Sequence, residues 1–313
     1  MRKLNMLFIT ITIILLISCE NKDVEKEESN KEEFFYTFHH PSTSQKFNII
    51  NVYKLYENYE QALKQKSDAS SFTIFNQKVL NPIYNACYKG GEHFRDTIQP
   101  PKDLKEINNT ISSIDEKQLN NSIKEALIES SNYLPSEKTT NVCVFPVEGG
   151  EYAESAYTTG SGKISLFYRE NYDVESLKAL IAHEYHHSIY TEKFWNKEVS
   201  NNWTLLDNLV AEGKAVMFEK IVYPDITWTP IRYNTNTEIY WKELIQPNLY
   251  KKNDANLARQ ILLGGNGIPY DFGYSEGYKI VKSYLELNPN LTAEEWTALS
   301  AKEIFENGDY MNN

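Results

Sequence analysis

The sequence predicts a mixed α/β fold, rich in helix, and three features predict it. Apolar residues recur at helical spacing through the front of the chain. Near residue 141 the texture changes to short β-rich runs broken by a glycine-containing loop. Behind these runs come further segments with apolar stripes and polar opening residues, the pattern of capped helices.

Composition bounds the function. Of 313 residues, 41% are hydrophobic and 24% charged, an ordinary globular balance that excludes wholesale disorder. Lysine and arginine number 32 against 43 acidic residues, a net charge of -11, so no global positive field exists to hold a phosphate backbone. Nucleic acid is therefore excluded as a partner. Cys19, Cys87 and Cys143 contain no C-x-x-C pair, so cysteine does not hold any metal the chain binds.

The first eighteen residues read as an address. Arg2 and Lys3 precede an uncharged apolar stretch from Leu4 to Ser18, the n-region and h-region of a secretory signal. The stretch is too short for a comfortable membrane span. It ends Leu16-Ile17-Ser18-Cys19, which resembles the bacterial lipobox, in which the cysteine is acylated and becomes the new N-terminus. The expectation is a lipoprotein signal peptide over 1–18 and an exported protein anchored to the bacterial cell membrane by a lipid on Cys19. Cleavage would remove Arg2 and Lys3 and take the net charge from -11 to -13. Residues 19–33, almost all Glu, Lys, Asp, Asn and Ser, cannot bury enough apolar surface to fold and read as a flexible charged tether. Export also makes Cys87 and Cys143 disulfide-permissive, with buried unpaired thiols as the equal alternative.

Residues 34–140 read as a helical N-terminal region. Ile50, Val52, Leu55, Tyr59 and Leu63 set a helical period from about Phe47 to Lys66, and further helices fit Ser71 to Tyr88 and Glu116 to Ser131. Val142 to Val147 and Lys163 to Tyr168 read as two strands joined by the small and polar loop Glu148 to Gly162. A helix follows, with Asp173 as cap and Glu175 in its first turn, running to Tyr190.

On that helix lies His183-Glu184-Tyr185-His186-His187, an H-E-x-x-H. Residues 183 and 187 are one turn apart, so both imidazoles leave the same face and can share one zinc ion. Glu184 is rotated by about 100° from His183, where its carboxylate can serve a zinc-activated water as general base without ligating the ion. His186 reads as a residue outside the ligand set. A water position requires three protein ligands, and the stretch Ser188 to Lys193 lacks a third histidine. The third ligand is sought on the helix expected from Trp203 to Lys220, where Glu212 shares the apolar stripe of Leu205, Leu209 and Val216. A carboxylate there is costly unless paired or metal-bound. Asp207 falls off the stripe. Glu219 shares it nearer the helix end and is assigned no part in the site.

H-E-x-x-H followed by Glu212-Gly213-Lys214-Ala215, an E-x-x-A, resembles the gluzincin group of zinc metallopeptidases. With Leu209-Val210-Ala211-Glu212-Gly213-Lys214-Ala215 and Gly273-Tyr274-Ser275-Glu276-Gly277-Tyr278, the chain is similar to the YjaZ-like family of predicted zinc-dependent proteases over roughly residues 140 to 287. The resemblance implies a zincin-like catalytic region over 141–313, with a short sheet, an active-site helix and a C-terminal helical subdomain. It implies one zinc per chain held by His183, His187 and Glu212, a peptide or protein substrate, and Glu184 as catalytic base. It also implies an oxyanion-steadying tyrosine, Tyr274 ahead of Tyr270, and substrate added as a strand alongside Ile164 to Tyr168. The reading from a different class is a non-catalytic lipoprotein whose metal site is structural or binds a partner. A closed fourth ligand would mark that case, and an open position beside a groove the enzyme.

Overall fold

The computed structural model describes residues 33–65, 69–149, 155–170, 172–233, 236–252 and 254–310. The signal peptide, Cys19 and nearly all of the tether lie outside the described residues. No helix among the described residues is long and apolar enough to cross a membrane.

Five strands form one mixed sheet: β1 (Phe35–His39), β2 (Lys46–Ile50), β3 (Thr140–Pro146), β4 (Ala156–Gly160) and β5 (Lys163–Tyr168), in the order β1-β2-β3-β5-β4. The central pairs β2/β3 and β3/β5 are parallel, and the outer pairs β1/β2 and β4/β5 are antiparallel. Three expectations change here. The front region is not wholly helical, because β1 and β2 come from it. Phe47 and Ile49 are buried on either side of half-buried Asn48, a period of two that governs the start of the stretch read as helix. The long loop carries a strand of its own, β4. Its Thr-Thr-Gly run offers little apolar signal, and pairing with β5 decides its conformation. Finally, β5 is flanked on both sides, so a peptide cannot add beside Ile164 to Tyr168, and among the described residues the edge strand on that side is β4.

Strand alternation sorts the core into two clusters. Val142, Val144, Ile164 and Leu166 pack with Leu119, Ile123 and Leu127 of α1 (Glu116–Tyr133), and with Leu177, Leu180 and Ile181 of α2 (Ser176–Lys193). Cys143, Phe145 and Phe167 pack instead with apolar residues of the front helices, including Phe75, Leu80 and Ile83. Cys87 and Cys143 are joined by a disulfide, which decides the alternative left open by the sequence and ties the front helices to the centre of the sheet.

α2 begins at Ser176, later than expected, with the Asp173 carboxylate accepting from the Glu175 backbone N–H at 3.2 Å. It carries the H-E-x-x-H. α3 (Leu205–Val222) opens with a full capping box, in which the Thr204 hydroxyl accepts from the Asp207 N–H and the Asp207 carboxylate accepts from the Thr204 N–H. Asp207 thus has a structural task at the head of this helix.

α4 (Phe272–Leu287) crosses α3 with the backbones nearly touching. A Cβ on Gly213 would lie 2.1 Å from the Gly277 carbonyl oxygen, and one on Gly277 would lie 2.0 Å from the Leu209 carbonyl oxygen. Two glycines of the sequence motifs are therefore a helix crossing, and the crossing sets where Tyr274 stands relative to α2. A second clamp comes from Lys214, 2% exposed, which donates to the carbonyls of Thr297 (2.9 Å) and Leu299 (2.6 Å). Burial pulls its pKa down to about 7.

Candidate active site

α2 and α3 pack side by side and bring three ligating atoms together. His183 Nε2 lies 3.2 Å from His187 Nε2, His187 Nε2 lies 3.2 Å from Glu212 Oε2, and His183 Nε2 lies 3.3 Å from the same oxygen. A tetrahedral zinc with bonds of about 2.05 Å separates its ligand atoms by about 3.3 Å along each edge. The side chains therefore already form one face of that tetrahedron. Among the described residues these three groups form the one cluster able to hold a metal, without a fourth ligand.

Electrostatics supports the same conclusion. Glu184, Glu212 and Glu219 act on His183, and Glu212 also meets His187, an excess of negative charge that favours a cation. Burial opposes a charged His183, yet its contacts with Glu212 and Glu219 and the charge of Glu184 push its pKa up to about 10. Burial likewise opposes an ionised Glu212, but the charge of His187 and the bonds to both histidines hold its carboxyl well below the usual range.

Glu184 is 6% exposed and does not join the ligand cluster. The Thr158 hydroxyl, on β4, lies 3.0 Å from its carboxylate and 2.8 Å from its carbonyl oxygen, which links the edge strand to the candidate base. His186 points the other way. It is 1% exposed, stacks on Trp296 at 5.6 Å between ring centroids, and meets the Thr297 hydroxyl at 3.2 Å. Burial, then the charges of His187 and Lys214, hold its pKa well below the ordinary value, so it packs as a neutral ring behind the ligands.

Glu219 is the residue that sequence reasoning left out. Its side chain is fully buried, one oxygen accepts from the N–H groups of Trp228 (3.0 Å) and Thr229 (2.9 Å), and the other faces His183 Nδ1 at 3.7 Å. It thus stands behind a candidate ligand and supports the loop that walls the cleft. Its place two turns beyond Glu212, on the same stripe, was the available signal.

The cleft that His183 and Glu184 line has a volume of about 230 Å³. Its walls include Leu180, Trp228, Pro230, Leu263, Tyr270 and Tyr274, together with His183 and Glu184. Tyr274 stands 6.1 Å from His183 between ring centroids, whereas Tyr270 lies at the mouth and is half exposed.

Comparison with known proteins shows a family. Residues 119–306 match the family described as predicted Zn-dependent protease (DUF2268), a span that contains most of α1, both site helices and α4. The chain is similar to YjaZ of Bacillus subtilis (strain 168), an uncharacterized protein, at 29% identity over 147 residues. That match covers 46% of this chain and 56% of the relative, so it spans little more than half of the relative's length. No solved structure matches. With more than half of its residues matched, and with the motif histidines and Glu212 brought together by the fold, the chain belongs to the DUF2268 family of predicted Zn-dependent proteases.

Proposed function

We propose that the protein is a zinc-dependent peptidase of gluzincin type, with His183, His187 and Glu212 holding one zinc ion per chain and Glu184 as general base. The observation that carries this reading is the triangle of ligand atoms, with edges of 3.2 to 3.3 Å, beside an open cleft and without a fourth ligand among the described residues. A structural metal site would be expected to be closed.

Zinc held by His183, His187 and Glu212 would supply Lewis-acid polarisation of a carbonyl and would lower the pKa of water to about 7. Glu184, steadied by the Thr158 hydroxyl, accepts the water's proton and returns it to the leaving amine. Tyr274 donates from its hydroxyl to the substrate oxygen as negative charge develops. The peptide lies along β4, where backbone pairing fixes it beside Thr158 and Glu184. The Cys87–Cys143 bond suits an oxidising compartment and supports export, with the lipid on Cys19 as membrane anchor.

Metal analysis and a protease assay on unstructured peptides test this. Glu184→Gln should keep about one zinc per chain while hydrolysis falls roughly 100-fold. Glu212→Ala should lose zinc and activity together. Loss of zinc in the first variant, or full zinc affinity in the second, would refute the assignment.

A further inference from the structure

Asp271 forms part of the cleft wall, is 8% exposed, and among the described residues its carboxylate takes no hydrogen bond. Its charged partner is Arg232, whose Nη2 stands off at 3.8 Å from a side chain that is 54% exposed. The Asp271 oxygens keep a little contact with the cleft, and a carboxylate so largely desolvated is steadied when a cation takes the place of the remaining water. The backbone adds a second observation. Asp271 precedes α4 with φ 62°, a left-handed conformation, and its side chain makes no cap bond to that helix. Its lone pairs are thus left available on the wall of the cleft.

The surroundings say what would satisfy it. The described lining holds two carboxylates, Glu184 and Asp271, and no lysine or arginine. The walls between them are apolar or aromatic: Leu180, Trp228, Pro230, Leu263 and Tyr270. Apolar walls accept the methylene stem of a long cationic side chain, and indole and phenol faces favour a guanidinium or ammonium. The volume of about 230 Å³ exceeds the roughly 150 Å³ cavity that accommodates a benzene molecule, so a whole arginine head and stem fit. Arg232 already shows that a guanidinium can approach Asp271 from the rim.

We propose that Asp271 is a specificity-determining residue, and that the cleft takes a lysine or arginine side chain of the peptide substrate flanking the scissile bond. The stem lies between Leu180, Leu263 and Trp228, and the head pairs with Asp271 in place of the rim guanidinium of Arg232. This rests on the peptidase reading above for its substrate class, and the experiment separates the two.

Purified, zinc-loaded full chain is given two fluorescent peptides of otherwise identical neutral sequence, one with a single arginine and one with a single norleucine. Cleavage is followed by product sequencing, and binding is measured by anisotropy on the Glu184→Gln protein. Cuts should fall beside arginine. Asp271→Asn, a side chain that tolerates the left-handed backbone, should lower the arginine-over-norleucine ratio in kcat/KM roughly 10- to 100-fold. Arg232→Gln should raise that ratio by removing the competing cation, which a merely structural role for Asp271 does not predict. A norleucine preference in the wild type, or equal losses for both peptides in Asp271→Asn, overturns the proposal. If neither peptide is cut, the peptidase reading fails and binding decides the subsite. An arginine preference that Asp271→Asn abolishes then upholds it, and no preference ends it.

Discussion

Replacing Glu219 by glutamine changes no volume and one charge, and the structure specifies what each outcome must cost. One oxygen of Glu219 is held by the N–H groups of Trp228 and Thr229, and the other faces His183 Nδ1 at 3.7 Å. With His183 Nε2 directed at the metal position, Nδ1 carries the ring proton and points it at the carboxylate. A glutamine that keeps the two backbone bonds presents its NH₂ group to that N–H, donor against donor. The imidazole can relieve this only by moving the proton to Nε2, the atom needed for metal. Loss of such a supporting partner typically costs 10- to 100-fold in metal affinity, about 1.4 to 2.7 kcal/mol. If the amide turns over instead, its oxygen faces His183 and its NH₂ meets two backbone donors. The cost then appears as stability, about 1 to 3 kcal/mol for each buried group left unpaired. Zinc affinity by chelator competition and a denaturant titration of the metal-free chain therefore have to be measured together. Glu219→Gln should lower one of them by these amounts. Unchanged affinity together with unchanged stability would refute the claim that Glu219 orients His183.

Three further outcomes are expected. Gly277→Ala places a methyl group 2.0 Å from the Leu209 carbonyl, so the α3/α4 crossing must open; urea denaturation should show a loss of about 1 to 3 kcal/mol and zinc binding should weaken with it. Lys214 is protonated up to about pH 10.5 when unfolded but only to about 7 when folded, so between these values the unfolded chain holds more protons and stability rises with pH, by up to about 1.4 kcal/mol per unit. Lys214→Met should remove that increment, read as the difference between wild-type and variant denaturation midpoints at pH 7, 8 and 9. Cys19→Ala should move the protein from the membrane fraction to soluble or unprocessed forms, and intact-mass data showing an unmodified mature N-terminus elsewhere would count against lipidation.

The candidate metal ligands were legible because their signal is local. His183 and His187 are one turn apart in an H-E-x-x-H on one helix, and Glu212 stood out as a carboxylate on an apolar stripe that also begins an E-x-x-A. The sheet was legible in its two central runs for the same reason. What the sequence concealed depends on partners distant in the chain. β4 is a strand because β5 lies beside it, and its residues alone argue for a loop. Lys46 to Ile50 carries apolar residues that suit either period, and pairing with β3, more than ninety residues later, decides for the strand.

Glu219 and Asp271 fall on opposite sides of this divide, and together they show how the site is put together. Glu219 had the same local signature as Glu212, but a stripe position says that a carboxylate is buried, not what it meets. Only the return of the chain at Trp228 and Thr229, and the packing of α3 on α2, give it a role behind His183. Asp271 had no signature at all, since an aspartate before a helix reads as an ordinary cap. The left-handed backbone removes it from that duty and leaves the carboxylate on the cleft wall. The chemistry of the site is therefore written on two helices, whereas the cleft is built by the segments that return to them: β4 with Thr158, the loop at Trp228, and the approach to α4 at Asp271. On the proposed reading, the first set of residues would hold the metal, and the second would choose among substrates.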